Sequence, residues 1–205
     1  MKQRSTFKMV MIANLSAISI ILYLIGSFVP IFSFYFAPFL NIQFSNLPAI
    51  IGGFVMGPVA GSMVVVVRAL VKLPFTSTGG VGELADLIIG VSTVVIASLI
   101  YRKYHTKKGA IYASIAGVIT WTTVAVLANW LFLLRFYVNL YGFDAVIGML
   151  RGVDYINEDN FYWMFSLVIG IPFNLGLSVV VYFFTFIVYK RISGFFKQLN
   201  EQFND

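Results

Sequence analysis

MIANLSAISIILYLIG, residues 11–26, carries no Asp, Glu, Lys or Arg, and it sets Ala13 and Ala17 four positions apart. Residues four apart share one helical face, and small side chains on such a face let another helix approach closely inside a membrane. Outward from this stretch, the charge-free interval runs from Met9 to Val67. A bilayer core takes about 20 apolar residues per helix, so this interval alone supplies more than two crossings. The whole chain of 205 residues is 60% hydrophobic and 11% charged, with a mean hydropathy of +0.90. A soluble domain carries roughly 25% charged residues; this composition belongs to a chain whose main solvent is lipid. The first apolar run is too long for a cleavable leader and lacks a small-residue cleavage site, so it reads as a retained span. The absence of cysteine excludes disulfides and thiolate metal sites.

The net charge of +6 does not point to nucleic acid, because of where it lies. Ten of the fourteen Lys and Arg residues fall in three clusters: Lys2, Arg4, Lys8; Arg102, Lys103, Lys107, Lys108; and Lys190, Arg191, Lys197. Each cluster abuts the end of an apolar run, which is the positive-inside signature and not a groove-lining stripe. The expected fold is an all-α integral membrane protein, a single domain over residues 1–205. Its spans are read at 7–28, a short helix at 46–57, and then 59–71, 84–101, 110–134 and 161–189. Residues 29–45, with Pro30 and Pro38 interrupting any helix, form a long apolar outer loop. Asn46 serves as N-cap of the short helix, with Pro48 in its first turn. Residues 72–83 and the polar segment 139–160 are also outer loops. Six spans with both termini cytoplasmic satisfy all three basic clusters at once; the opposite orientation puts ten of fourteen positive charges outside.

The chemistry of an enzyme is missing. The one histidine, His105, falls in a cytoplasmic turn, and no H-E-x-x-H, G-x-S-x-G or spaced carboxylate pair lies in a span. GGVGE at 79–83 follows no strand and reads as a flexible turn, and no phosphate-binding loop exists with which to hydrolyse ATP. Polar groups at membrane depth are costly and mark function. Arg68 and Lys72 end the third span, Glu83 and Asp86 open the fourth, Asn129 lies in the outer half of the fifth, and Asn174 follows Pro172 in the sixth. Each also has an ordinary structural explanation, an interhelical hydrogen bond or an ion pair such as Glu83 with Arg68. Together they gather toward the outer half, beside a loop holding Phe32, Phe34, Tyr35, Phe36 and Phe39. Such aromatics serve as an interfacial belt or as the roof of a pocket for a flat, weakly charged molecule.

These features resemble the substrate-binding S components of energy-coupling factor (ECF) vitamin transporters: about 200 residues, six spans, and an A-x-x-x-A strip in the first span. IQFSNLPAIIGGFVMGPVAG, TSTGGVGELADLI, VLANW and IPFNL, in that order, are similar to the riboflavin-specific branch of that family. The correspondence departs where Gln43 and Asn46 replace two acids, and where Leu177 stands near a lysine of the relatives. The resemblance implies that riboflavin is the transported ligand and that no cofactor is needed. A flat tricyclic ring wants an apolar, aromatic slot, here Phe39 and Leu40. Its uracil-like edge wants amides such as Asn129 or Asn41, with Gln43 close by. Its hydroxyls suit Glu83, Thr76 and Asn174, and the same resemblance draws Gly82 and Arg135 into the site. It further implies capture from outside and delivery inside by an ECF module, a membrane coupling subunit with two cytoplasmic ATPases. Ala13 and Ala17 become the docking face for the coupling subunit. The readings left standing are an S component for another vitamin, and a membrane protein of lipid metabolism.

Overall fold

The computed structural model describes residues 2–29, 33–34, 37–76, 78–150, 153 and 155–202, with side chains at the same positions except 2–4, 33–34, 38–39, 192–193 and 195–202. The chain is nearly all helical. Helix α1 (Lys2–Phe28) leads into an antiparallel two-stranded ribbon, β1 (Ser33–Phe34) and β2 (Ala37–Asn41), in which Ser33 faces Asn41 and Phe34 faces Ala37. Then come α2 (Asn46–Met56), α3 (Pro58–Lys72) with a 3₁₀ turn at Leu73–Phe75, and α4 (Val81–Lys103). Helix α5 (Lys107–Ala128) passes through a π segment at Asn129–Leu133 into α6 (Leu134–Tyr141), followed by the short α7 (Phe143–Gly148). The last rod is α8 (Phe161–Met164), a second π segment at Phe165–Gly170, and α9 (Ile171–Gln202).

Among the described residues, five runs are long and apolar enough to cross a membrane: Ser5–Phe28, Pro58–Phe75, Val81–Lys103, Lys107–Tyr141 and Phe161–Arg191. Helix α2 is the sixth apolar helix and, at 11 residues, only about 16 Å long. It sits at the centre of the bundle, packed on α1, α3, α4 and α9, with Ile50 and Phe54 in the principal core beside Val64, Val94 and Val181. A left-handed Gly57 (φ 96°) ends it, and Pro58 opens α3 without wasting a backbone donor. The two helices then run back to back so closely that a Cβ on Gly61 would lie 2.6 Å from the Ala49 carbonyl oxygen.

Successive helices alternate in direction. The late part of α1, the start of α2, the end of α3, the start of α4, the end of α5 and the start of α9 meet at one end, around a cleft. At the other end the Phe54 ring lies 4.7 Å from Tyr101 and 5.7 Å from Tyr189, whose hydroxyls hydrogen-bond each other at 2.8 Å. The outer face is largely apolar, with Met9, Ile21, Val59, Ile119 and Phe183 all exposed. An apolar exterior over a packed interior is what a lipid solvent demands.

Three local expectations give way. The loop expected at 29–45 contains the β1–β2 ribbon; a two-stranded ribbon is all edge, so Pro38 sits in a strand without breaking a ladder. Helix α4 begins at Val81, not at 84, because left-handed Gly80 (φ 92°) turns the chain early and draws Gly82 and Glu83 into the first turn. Ser45, not Asn46, is the N-cap residue of α2, since the Asn46 amide is taken by Arg68.

Candidate functional site

The cleft, about 210 Å³, opens where these helix ends converge. Its apolar walls set the aromatics Tyr23 from α1, Trp121 from α5, Tyr137 from α6 and Phe173 from α9 beside the aliphatic Ile89, Leu133 and Leu177. Leu40, Asn41 and Gln43 reach it from the ribbon and its exit, and Gly82 and Glu83 from the first turn of α4. Asn129 and Asn174 complete it.

Two polar networks hold the cleft. In the first, Arg68, fully buried, donates from Nη2 to Asp86 Oδ2 and to Asn46 Oδ1, both at 2.9 Å, and from Nη1 to Ser19 Oγ at 3.3 Å. Lys72 Nζ donates to the same Asp86 oxygen at 3.0 Å and lies 3.7 Å from the centroid of the Tyr23 ring. Four helices, α1 to α4, are thereby tied together beneath the cleft. In the second, Glu83 Oε2 accepts from Thr76 Oγ1 at 2.7 Å and from Thr78 Oγ1 at 3.1 Å. The pairing of Glu83 with Arg68 does not form: Asp86, three residues further along α4, meets the guanidinium instead. The four formal charges of Arg68, Lys72, Glu83 and Asp86 cancel.

The two asparagines are placed by interruptions in their helices. Asn129 opens the π segment of the α5–α6 rod, and its Nδ2 donates to the Ala125 carbonyl at 2.8 Å. Asn174 follows Pro172, which cannot bond the carbonyl of Val168 one turn back; the rod relaxes into the π segment just before it. Asn174 Nδ2 donates to the Gly170 carbonyl at 2.9 Å, and its Oδ1 accepts from the Trp121 indole at 3.3 Å. Extra-residue turns of this kind recur at functional positions because they re-aim side chains.

Of the residues singled out in the sequence, Leu40, Asn41, Gln43, Gly82, Glu83, Asn129 and Asn174 thus come together. Gln43, Asn46 and Leu177, where the chain departs from the family pattern, also line the cleft. Thr76 stands one hydrogen bond behind, through Glu83. Arg135 is not among the lining residues; it is exposed, with its guanidinium 5.6 Å from the Tyr162 ring. The side chain of Phe39, and the roof with Phe32, Phe34, Tyr35 and Phe36, lie outside the described residues. Sequence reasoning passed over Trp121, Tyr137, Tyr23 and Phe173, because aromatics are common in spans. One signal was available: Trp121, Ala125 and Asn129 recur at steps of four, a single helical face leading to the amide. Ala13 and Ala17 are exposed, while Leu15, Ser16 and Ser19 of the same helix point inward. Among the described residues no group of three or more His, Cys, Asp or Glu gathers to hold a metal.

Comparison with known proteins bears on this arrangement. The family described as "ECF transporter, substrate-specific component" matches residues 7–189. The riboflavin transporter RibU of Staphylococcus aureus (strain TCH60) is 28% identical over 193 residues, covering 94% of this chain and 93% of that protein. The riboflavin transporter FmnP of Bacillus subtilis (strain 168) is 28% identical over 134 residues, 63% of this chain and 68% of that one. A solved structure described as the S component of a bacterial ECF transporter superposes with a TM-score of 0.70 at 27% identity, covering 94% of this chain and 99% of that chain.

Proposed function

This chain belongs to the family of substrate-specific components of ECF transporters, and from that premise we propose that it is the riboflavin-binding subunit, capturing the vitamin outside the cell for uptake. As a member of that family it is a transport component and not an enzyme. The observation that carries the ligand assignment is the cleft itself: four aromatic residues and two helix-anchored amides converge in one space whose surrounding charges cancel. A neutral, flat heterocycle with a hydrogen-bonding edge is the chemistry such a space accepts. Asn129, Asn174, Asn41 and Gln43 address its polar edge and hydroxyls, Glu83 is held for the same purpose by Thr76 and Thr78, and Leu40 closes on the ring. Gly82 leaves room beside Glu83.

The orientation follows from charge. The basic ends of α4 and α9 lie opposite the cleft, so the positive-inside rule directs the cleft outward and both termini to the cytoplasm. In that frame six helices build the bundle, with α2 the short descending leg that stops short of a full crossing. A helix of about 16 Å does not span a bilayer core of about 30 Å, but α2 is wrapped by four other helices and needs no lipid contact along its length. Delivery requires an ECF module, a membrane coupling subunit with two cytoplasmic ATPases. Ala13 and Ala17 lie on the outward face of α1 with Asn14, also exposed. An amide facing hydrocarbon is costly, which favours a protein surface against this strip.

Purified protein titrated with riboflavin, thiamine, biotin and folate tests the reading. Saturable quenching of flavin fluorescence, with no competition from the other vitamins, is the expected result. Binding of one of the others alone would reassign the subunit to that vitamin.

A further inference from the structure

The three polar contacts made by Trp121 and the two asparagines are not equivalent. An indole N–H only donates, and that of buried Trp121 faces Asn174 Oδ1. The Gly170 carbonyl only accepts, and it faces Asn174 Nδ2. Turning the Asn174 amide over would set its NH₂ against the indole donor and its oxygen against the carbonyl, forfeiting both bonds in a buried site. The amide is therefore locked. One lone pair of its oxygen and one N–H are taken, and the orientation so fixed leaves the second N–H as the donor it offers the cleft. Asn129 differs: one N–H is spent on Ala125, and its oxygen and second N–H have no protein partner among the described residues.

We infer that Trp121 is a positioning residue that fixes Asn174 as a hydrogen-bond donor, so that this wall of the cleft selects a ligand edge with an acceptor facing it. The adjacent Asn129 offers both an acceptor and a donor. The pair thus matches a heterocycle whose carbonyl oxygens flank an N–H, as in an imide. The inference rests on the riboflavin reading and deepens it: Trp121 acts through Asn174 and owes none of this effect to stacking on the ring.

A double-mutant cycle separates the two claims. Riboflavin binding by the unaltered protein is measured first; its absence overturns the transport reading, whereas the variants test the role of Trp121 alone. Trp121→Phe keeps an aromatic ring and deletes the N–H, and it is expected to weaken riboflavin binding about tenfold. In an Asn174→Leu background the same change should alter affinity less than twofold. A tenfold loss that persists without Asn174 means stacking or packing and overturns the inference, as does undiminished binding by Trp121→Phe alone. A second measurement covers a Trp121→Phe protein that fails to fold. In protein labelled with ¹⁵N-tryptophan, Asn174→Leu should shift the indole N–H resonance of Trp121 upfield and leave exposed Trp130 and Trp163 unmoved. An unmoved Trp121 resonance overturns the inference.

Discussion

Asp86 is the shared acceptor of two cations, and neutralising it tests the network that ties α1 to α4. Its Oδ2 lies 2.9 Å from Arg68 Nη2 and 3.0 Å from Lys72 Nζ; the cation side chains are 0% and 4% exposed, the carboxylate 22%. Asp86→Asn preserves shape while leaving two buried positive charges without their counter-ion. Breaking a buried pair by removing one partner costs about 3–5 kcal/mol, and the partial exposure of Asp86 argues for the lower end, about 3 kcal/mol. For a chain of this size each kcal/mol moves Tm by roughly 2–4 °C, so a fall of about 6–12 °C is expected. The triple change Arg68→Met, Lys72→Met, Asp86→Leu removes all three charges together. It should lose much less, because the desolvation cost vanishes with the ions. With no cysteine in the chain, thiol-reactive dyes are of no use; unfolding in detergent is followed by tryptophan fluorescence or helical circular dichroism. An Asp86→Asn protein as stable as the unaltered one, or a triple variant that falls as far, would refute the reasoning.

Two further outcomes are expected. Gly61→Ala drives a methyl to 2.6 Å from both the Ala49 oxygen and Val94 Cγ1. Because one neighbour is backbone, the helices must part, and a loss of about 3 kcal/mol, at the upper end for overpacking, should appear in the same thermal assay. Ala13→Trp with Ala17→Trp, on the exposed face of α1, should abolish riboflavin uptake by cells while purified protein still binds the vitamin; surviving uptake would return the strip to ordinary lipid contact.

Sequence and structure agree best where lipid sets the rules. Apolar runs bounded by Lys and Arg specified the long helices, because an unsatisfied backbone in hydrocarbon leaves no alternative to a helix. Residues such as Asn129, Asn174 and Glu83 were legible for the same reason: a polar group at depth announces itself against an apolar background. The partners of those groups were harder to foresee. Whether Arg68 meets Glu83 or Asp86 turns on where α4 begins, and that start moved three residues once Gly80 took a left-handed conformation. The π segments depend on tertiary packing and on Pro172, and they decide the aim of both asparagines. Trp121 looked like any aromatic of a span until its N–H was found on Asn174.

Riboflavin binds, on this reading, in the cleft lined by Asn129 and Asn174. Calorimetric titration of riboflavin into the protein beside Asn129→Ala tests it most directly. An unpaired polar group in a dry site costs about 1–3 kcal/mol, which is about fivefold to 150-fold in affinity. One site per chain is expected in the unaltered protein, with a loss of that size in a variant that remains folded. Equal affinity in the two proteins, or no riboflavin binding in either, would contradict it.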